Sequence, residues 1–158
     1  MIGFSTCVQN SLWREVEKPM KCHEAITENP VFCLPDDNAG QAARLMRREH
    51  VGSIPVVTDE RRRELIGVIS ARDLALKVLG ESRDANRTSV YEVMTSTVVA
   101  CRDDDDIVSA VLAMEEHDIN RVPVVNYAGR LVGIISREDV CINVPSRTPV
   151  VQDLWQAA

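Results

Sequence analysis

Two serine–aspartate pairs recur in the chain, Ser70 with Asp73 and Ser136 with Asp139, each following a glycine, Gly67 and Gly133. An ionised carboxylate accepts hydrogen bonds from two adjacent hydroxyls at once, and a serine hydroxyl beside it donates or accepts. That chemistry suits a vicinal diol such as a ribose presents. Arg72 and Arg137 fall in the same two turns and Arg121 lies upstream of the second, so a phosphate comes within reach of cations. The competing reading is that each aspartate caps the helix that follows, as any surface carboxylate can.

The pairs belong to a longer duplication. Residues 51–57 (V-G-S-I-P-V-V) return as 119–125 (I-N-R-V-P-V-V), offset by 68 positions (123 − 55). Residues 65–73 return as 131–139, offset by 66 (139 − 73), and two extra residues in the loop 58–64 account for the difference. A unit that cannot close its own core closes it against its copy, which predicts two related clefts where the copies meet.

Elements with these periodicities must position the pairs. Residues 65–69 and 131–135 read as strands, and helices begin near Ala71 and Arg137, the first with apolar Leu74, Val78 and Leu79. A helix N-terminus at that junction offers backbone amides and a partial positive charge to a phosphate. Across the hairpin loops 58–64 and 126–130 lie Ile54-Pro55-Val56-Val57 and Val122-Pro123-Val124-Val125, β-branched and strand-like. Each copy opens with a short strand, 30–34 and 98–101, ending at Asp36-Asp37 and at Asp103 to Asp106, which are placed to cap the next helix. Ile107, Ala110, Val111 and Met114 form an i, i+3, i+4, i+7 stripe there, matched by Ala39, Ala42, Ala43 and Met46. The predicted fold class is α/β of the α+β type, in the order β-α-β-β-α, twice.

Composition narrows the function classes. Hydrophobic residues make up 45% of the 158 but aromatics only 4%, so the core must be Val, Ile, Leu, Ala and Met. A net charge of −6 argues against nucleic acid or an anionic membrane as partner. No apolar run approaches a membrane span and residues 1–9 lack a signal-peptide pattern, which predicts a cytoplasmic protein. Five cysteines without a CxxC suit a reducing compartment and neither a zinc knuckle nor a disulfide framework. No nucleophile is assembled with a base and an orienting group, so no enzyme is predicted.

The duplicated β-α-β-β-α order, the prolines Pro55 and Pro123 near the strand starts, and Gly-x-x-Ser-x-x-Asp at 67–73 and 133–139 resemble a tandem of cystathionine β-synthase (CBS) domains, a Bateman module. The resemblance covers about 22–143; before the first repeat, at 22–80, lies an extension at 1–21 in which Leu12, Trp13 and Val16 suggest a short helix that Pro19 would stop. A linker follows at 81–89, then a second repeat at 90–143 and an apolar tail at 144–158 containing Val150, Val151, Leu154 and Trp155. In this family the copies pack about a pseudo-twofold axis and leave two clefts, which often bind AMP, ADP, ATP or S-adenosylmethionine. Two tandems commonly form a disc. The resemblance is to stand-alone members, and implies a regulatory ligand sensor with no obligatory cofactor, homodimeric through the repeats, acting on a partner that the residues do not name.

By the same resemblance, one cleft combines Ser136, Asp139 and Ile134 with Thr27, Phe32, Val51, Gly52 and Ser53. The other combines Ser70, Asp73 and Val68 with Thr95, Ala100, Ile119, Asn120 and Arg121. Flat apolar walls for an adenine are available from Val51, Ile54, Val68, Ile119, Val122 and Ile134. Arg121 stands where the first copy has Ser53, so the second cleft is expected to prefer a phosphorylated ligand, with Arg72 and Arg137 in reach. Two departures from the pattern are Glu138 in place of Ala71, which weakens phosphate binding in the first cleft, and Ile26 where Met94 stands in the other copy.

Two further classes remain open. One is a ligand-free structural module acting through its dimer surface and apolar tail. The other is a metal- or redox-responsive protein using Cys33, Cys101 and Cys141, although Cys33 and Cys101, at matching strand positions, read as small buried apolar residues. His23, His50 and His117 lack metal-ligand spacing, so no metal site is predicted.

Overall fold

The computed structural model describes residues 20–143; the expected helix around Trp13 and the apolar tail from Val150 lie outside them. In the first copy, β1 (Thr27–Glu28) precedes α1 (Ala39–Glu49), β2 (Ser53–Val57) and β3 (Leu65–Ser70). α2 (Ala71–Asp73) then widens at once into a π-helical segment, Leu74–Leu79. In the second copy, α3 (Val90–Val93) and β4 (Cys101–Arg102) precede α4 (Ile107–Glu116), β5 (Arg121–Val125), β6 (Leu131–Ser136) and α5 (Arg137–Asn143). Mixed helices and strands in two repeated units make this an α+β fold.

The repeats exchange their opening segments. β1 pairs with β6 of the other copy, Thr27 opposite Ile134, within a sheet ordered β1-β6-β5-β4. Reciprocally, Thr95 bridges Val68 of β3, its amide donating to the Val68 carbonyl at 2.8 Å. Each core therefore contains residues from both copies: Cys22 and Ala25 lie with Val122, Val124 and Ile135, while Val90 and Val93 lie with Ile54, Val56 and Ile69. Two glycines permit the approach. A Cβ on Gly67 would stand 2.5 Å from Met94 Sδ, and one on Gly133 would stand 2.7 Å from Ile26 Cβ.

Four local expectations are corrected. The strand expected at 30–34 reduces to one parallel bridge, Cys33 with Val56, because Pro30 and Pro35 bracket it and supply no ladder donors. The strand expected at 98–101 shrinks to β4, which runs parallel to β5. Asp36 and Asp37 do not cap α1: Asn38 does, in a reciprocal pair with Gln41 at 2.8 Å each way, while Asp37 accepts the Leu34 amide. In the second copy Asp106 does cap α4, accepting from the Val108 amide at 3.1 Å. Finally, the α4 stripe is buried throughout, but in α1 Ala43 is exposed and Leu45 packs against the core instead. At about 100° per residue Ala43 and Leu45 flank the Ala39–Ala42–Met46 face on opposite sides, and the longer leucine side chain reaches the core where the alanine methyl does not.

Candidate functional site

The hairpin register brings the chemistry to one end of the strands. Ser53 is paired with Ser70 in β2–β3, and Arg121 with Ser136 in β5–β6. Between the copies lies a cavity of about 900 Å³, within the size of small-molecule sites. It gathers Val68, Ser70, Arg72, Asp73, Thr95, Ile119, Asn120 and Arg121, and from the other set Gly52, Ser53, Ile134, Ser136 and Arg137. Thr27, Phe32, Val51, Ala100 and Asp139 do not line it. Ala100 is exposed, and Phe32 carries the Arg63 guanidinium over its ring at 5.1 Å. Sequence reasoning missed Pro55, Thr97, Val98, Val99, His117, Asp118 and Pro123, which also line the wall. Their signal was faint: Val98 and Val99 were assigned to a strand, and His117 and Asp118 simply end α4.

Each serine is the helix N-cap, and each aspartate three residues on closes a reciprocal capping box with it. The Ser70 amide and hydroxyl donate to Asp73 Oδ2 at 3.0 and 2.5 Å, and the Asp73 amide donates back to Ser70 Oγ at 3.1 Å. Ser136 and Asp139 repeat this at 2.8, 2.6 and 3.2 Å. Capping and ligand contact are not exclusive, because one carboxylate has about four acceptor positions.

The expected amide cradle for phosphate is largely spent. The Ala71 amide donates to Gly52 O at 2.8 Å, the Arg137 amide to Asn120 O at 3.0 Å, and both aspartate amides to their serines. Anion binding thus falls to side chains. Arg72, Arg121 and Arg137 face the cavity, against Asp73, Asp118 and Glu138. Arg137 is already drawn to Glu115, at 3.0 Å, and its Nε is buried without a partner among the described residues.

Asp73 is the most heavily engaged group. Lys77 Nζ stands 2.7 Å from Oδ1, and the Thr95 hydroxyl donates to the same oxygen at 3.1 Å. Burial alone would raise its pKa, but Lys77 and the Ser70 donors outweigh burial and hold the carboxyl below its ordinary value.

Cys33 and Cys101 are buried, as their reading as small apolar residues expects. Cys33 lies in the first core and Cys101 in the second, and Cys141 is exposed. Cys22 lies with Cys101 in the second core and donates its thiol to Asp106 O at 3.7 Å; the neighbouring Cys101 sulfur and then burial keep the Cys22 thiol protonated. Burial, then Asp37, pushes Cys33 up to about 11. Among the described residues no three His, Cys, Asp or Glu side chains cluster as a metal site would require. Nor is any described helix long and apolar enough to cross a membrane.

With the exchanged repeats and their seam cavity described, comparison with known proteins places the chain. The CBS domain model matches it twice, over residues 22–80 and 90–146, and the chain belongs to the CBS domain family. It is 35% identical over 120 residues to the CBS domain-containing protein YhcV of Bacillus subtilis, covering 76% of this chain and 82% of that one. Other curated relatives are longer, and the chain spans only 53%, 24% and 25% of three of them. Among solved structures it is similar to the CBS domain pair of protein MJ0100 in complex with 5'-methylthioadenosine and S-adenosyl-L-methionine, with 26% identity and a TM-score of 0.66 over 79% of this chain and 95% of that one. It is also similar to Hypoxic Response Protein I with two coordinated zinc ions, at 25% identity and a TM-score of 0.72, covering 80% of this chain and 100% of that one.

Proposed function

We propose that this CBS pair is a regulatory sensor, not an enzyme, whose seam cavity takes an adenosine-containing ligand: AMP, ADP, ATP or S-adenosylmethionine. The observation that carries the reading is the composition of one cavity shared by both copies. A serine–aspartate pair suits a ribose diol, Val68, Ile119 and Ile134 offer apolar walls to a purine, and three arginines can meet phosphates. The adenosine derivatives held by the MJ0100 pair support the same ligand class. Because the cavity is lined from both repeats, a ligand there biases their relative arrangement by its differential affinity for the alternatives. That bias is what a regulated partner, or a second copy of the chain, reads.

Thermal melts with AMP, ATP, S-adenosylmethionine and GMP test this. A ligand at about a hundred times its Kd should add about 2.7 kcal/mol of stability. Arg121→Ala should weaken AMP binding about tenfold or more, since Arg121 lines the cavity and a hydrogen bond to a charged group contributes about 1.5–3 kcal/mol. Adenosine compounds that leave the melting temperature unmoved sink the proposal.

One observation favours a second reading, a ligand-free assembly module. Leu76, Leu79 and Ile142 are 60%, 76% and 81% exposed, and Leu76 and Ile142 are repeat equivalents (76 + 66 = 142). Association through these helices predicts a dimer that Leu79→Arg dissociates, with no response to nucleotide.

A further inference from the structure

We infer that Lys77, with Thr95, stands in for the ligand at Asp73, so that the two repeats are unequal: the Asp139 carboxylate, which lies outside the seam cavity, keeps an acceptor for a vicinal diol on its own side, whereas Asp73 engages one only by displacing protein donors. The inference rests on the adenosine-sensor reading and concerns how that site discriminates.

The argument is a count of acceptor positions, about four per carboxylate. Asp73 Oδ2 accepts the Ser70 amide and hydroxyl, and Oδ1 accepts Lys77 Nζ at 2.7 Å and the Thr95 hydroxyl at 3.1 Å. All four positions are taken. Lys77 is not a loosely tethered surface cation, because its ammonium also donates to Val93 O at 2.8 Å. The opening segment of the second copy therefore supplies both the Thr95 donor and the anchor for Lys77. The Asp73 side chain is 12% exposed, so a displaced ammonium is not simply replaced by bulk water.

The second copy lacks the device. Asn143 occupies the position of Lys77 (77 + 66 = 143), and its amide donates to the Asp139 backbone carbonyl at 2.8 Å, not to the carboxylate. Among the described residues the Asp139 carboxylate accepts only from Ser136, at 2.8 and 2.6 Å, both on Oδ2, and Oδ1 accepts from none of them. The same capping pair is thus saturated in one copy and half-used in the other. Lys77 is a specificity-determining residue: it makes binding at Asp73 insensitive to the ribose hydroxyls and leaves selection there to the arginines.

Comparing AMP with 2′-deoxy-AMP reads this directly, because the phosphate contribution cancels in the ratio of affinities. Calorimetry on Asp73→Ala isolates the Asp139 side, where AMP should bind about tenfold or more tighter than the deoxy form. On Asp139→Ala, which isolates the Asp73 side, the ratio should fall close to one, and adding Lys77→Asn should restore it to about tenfold. Loss of all binding in Asp139→Ala, regained on adding Lys77→Asn, supports the same conclusion. Asp139→Asn serves in its place should the alanine variant fail to fold. Equal ratios at the two sides, or a ratio unmoved by Lys77→Asn, overturn the inference while the sensor reading stands. Failure of AMP to bind the wild-type chain overturns both.

Discussion

The Thr95 hydroxyl donates to Asp73 Oδ1 at 3.1 Å, joining the opening segment of the second repeat to the helix cap of the first. The two residues are 22 positions apart (95 − 73), and the Val68–Thr95 backbone bridge holds them together. A local capping arrangement thereby becomes part of the seam between repeats. Thr95→Val, nearly equal in shape, should lower stability by about 1 kcal/mol. Thr95→Ser should retain most of it, as urea midpoints will report.

The exchange of opening segments depends on two positions that tolerate no Cβ. Gly133→Ala should destabilise by about 1–3 kcal/mol, because its Cβ meets the stiff Cβ of Ile26 at 2.7 Å. Gly67→Ala should cost less, since its nearest neighbour is the flexible Met94 sulfur, although Thr95 O at 3.1 Å limits the relief. Chemical denaturation of both variants gives the ranking, and a reversed order would contradict this account of the seam.

Acid sensitivity follows from Asp73. Its folded pKa is lowered, Lys77 and Ser70 outweighing burial, so the stability it contributes is complete above the unfolded value near 3.8. That contribution disappears as pH falls through the lower folded value. Asp73→Asn should flatten this part of the acid limb, and Lys77→Asn should shift it to higher pH. Urea midpoints measured from neutral pH down to about pH 2 resolve both changes.

His50 ends α1 in the left-handed region, at φ 53 and ψ 41, where its amide donates to Met46 O. An L side chain there is strained, and glycine is not. His50→Gly should therefore raise stability by about 0.5–1 kcal/mol without touching the cavity. A drop in thermal midpoint would show that the exposed imidazole makes a contribution of its own.

Much of this protein was legible in its residues. The doubled Pro-Val-Val and Gly-x-x-Ser-x-x-Asp runs marked the repeat, the hairpins and the strand-to-helix junctions, because side-chain period and capping are decided within a few positions. The α4 stripe was readable for the same reason. In α1 the same spacing pointed to Ala43, and packing against the core took Leu45 in its place.

What the tertiary structure alone decided lies across the seam. Which copy β1 joins, which core Cys22 shares with Cys101, and whether the Asp73 carboxylate is open or filled all depend on segments brought together from distant parts of the chain. Ser70–Asp73 and Ser136–Asp139 are the same capping pattern, and the one local difference, Lys77 against Asn143 four residues on, acquires its meaning only through the carbonyl that anchors the lysine. Their difference is electrostatic and geometric: a lysine one helical turn away, anchored by a carbonyl from the other repeat, completes one acceptor set, while an asparagine leaves the other incomplete.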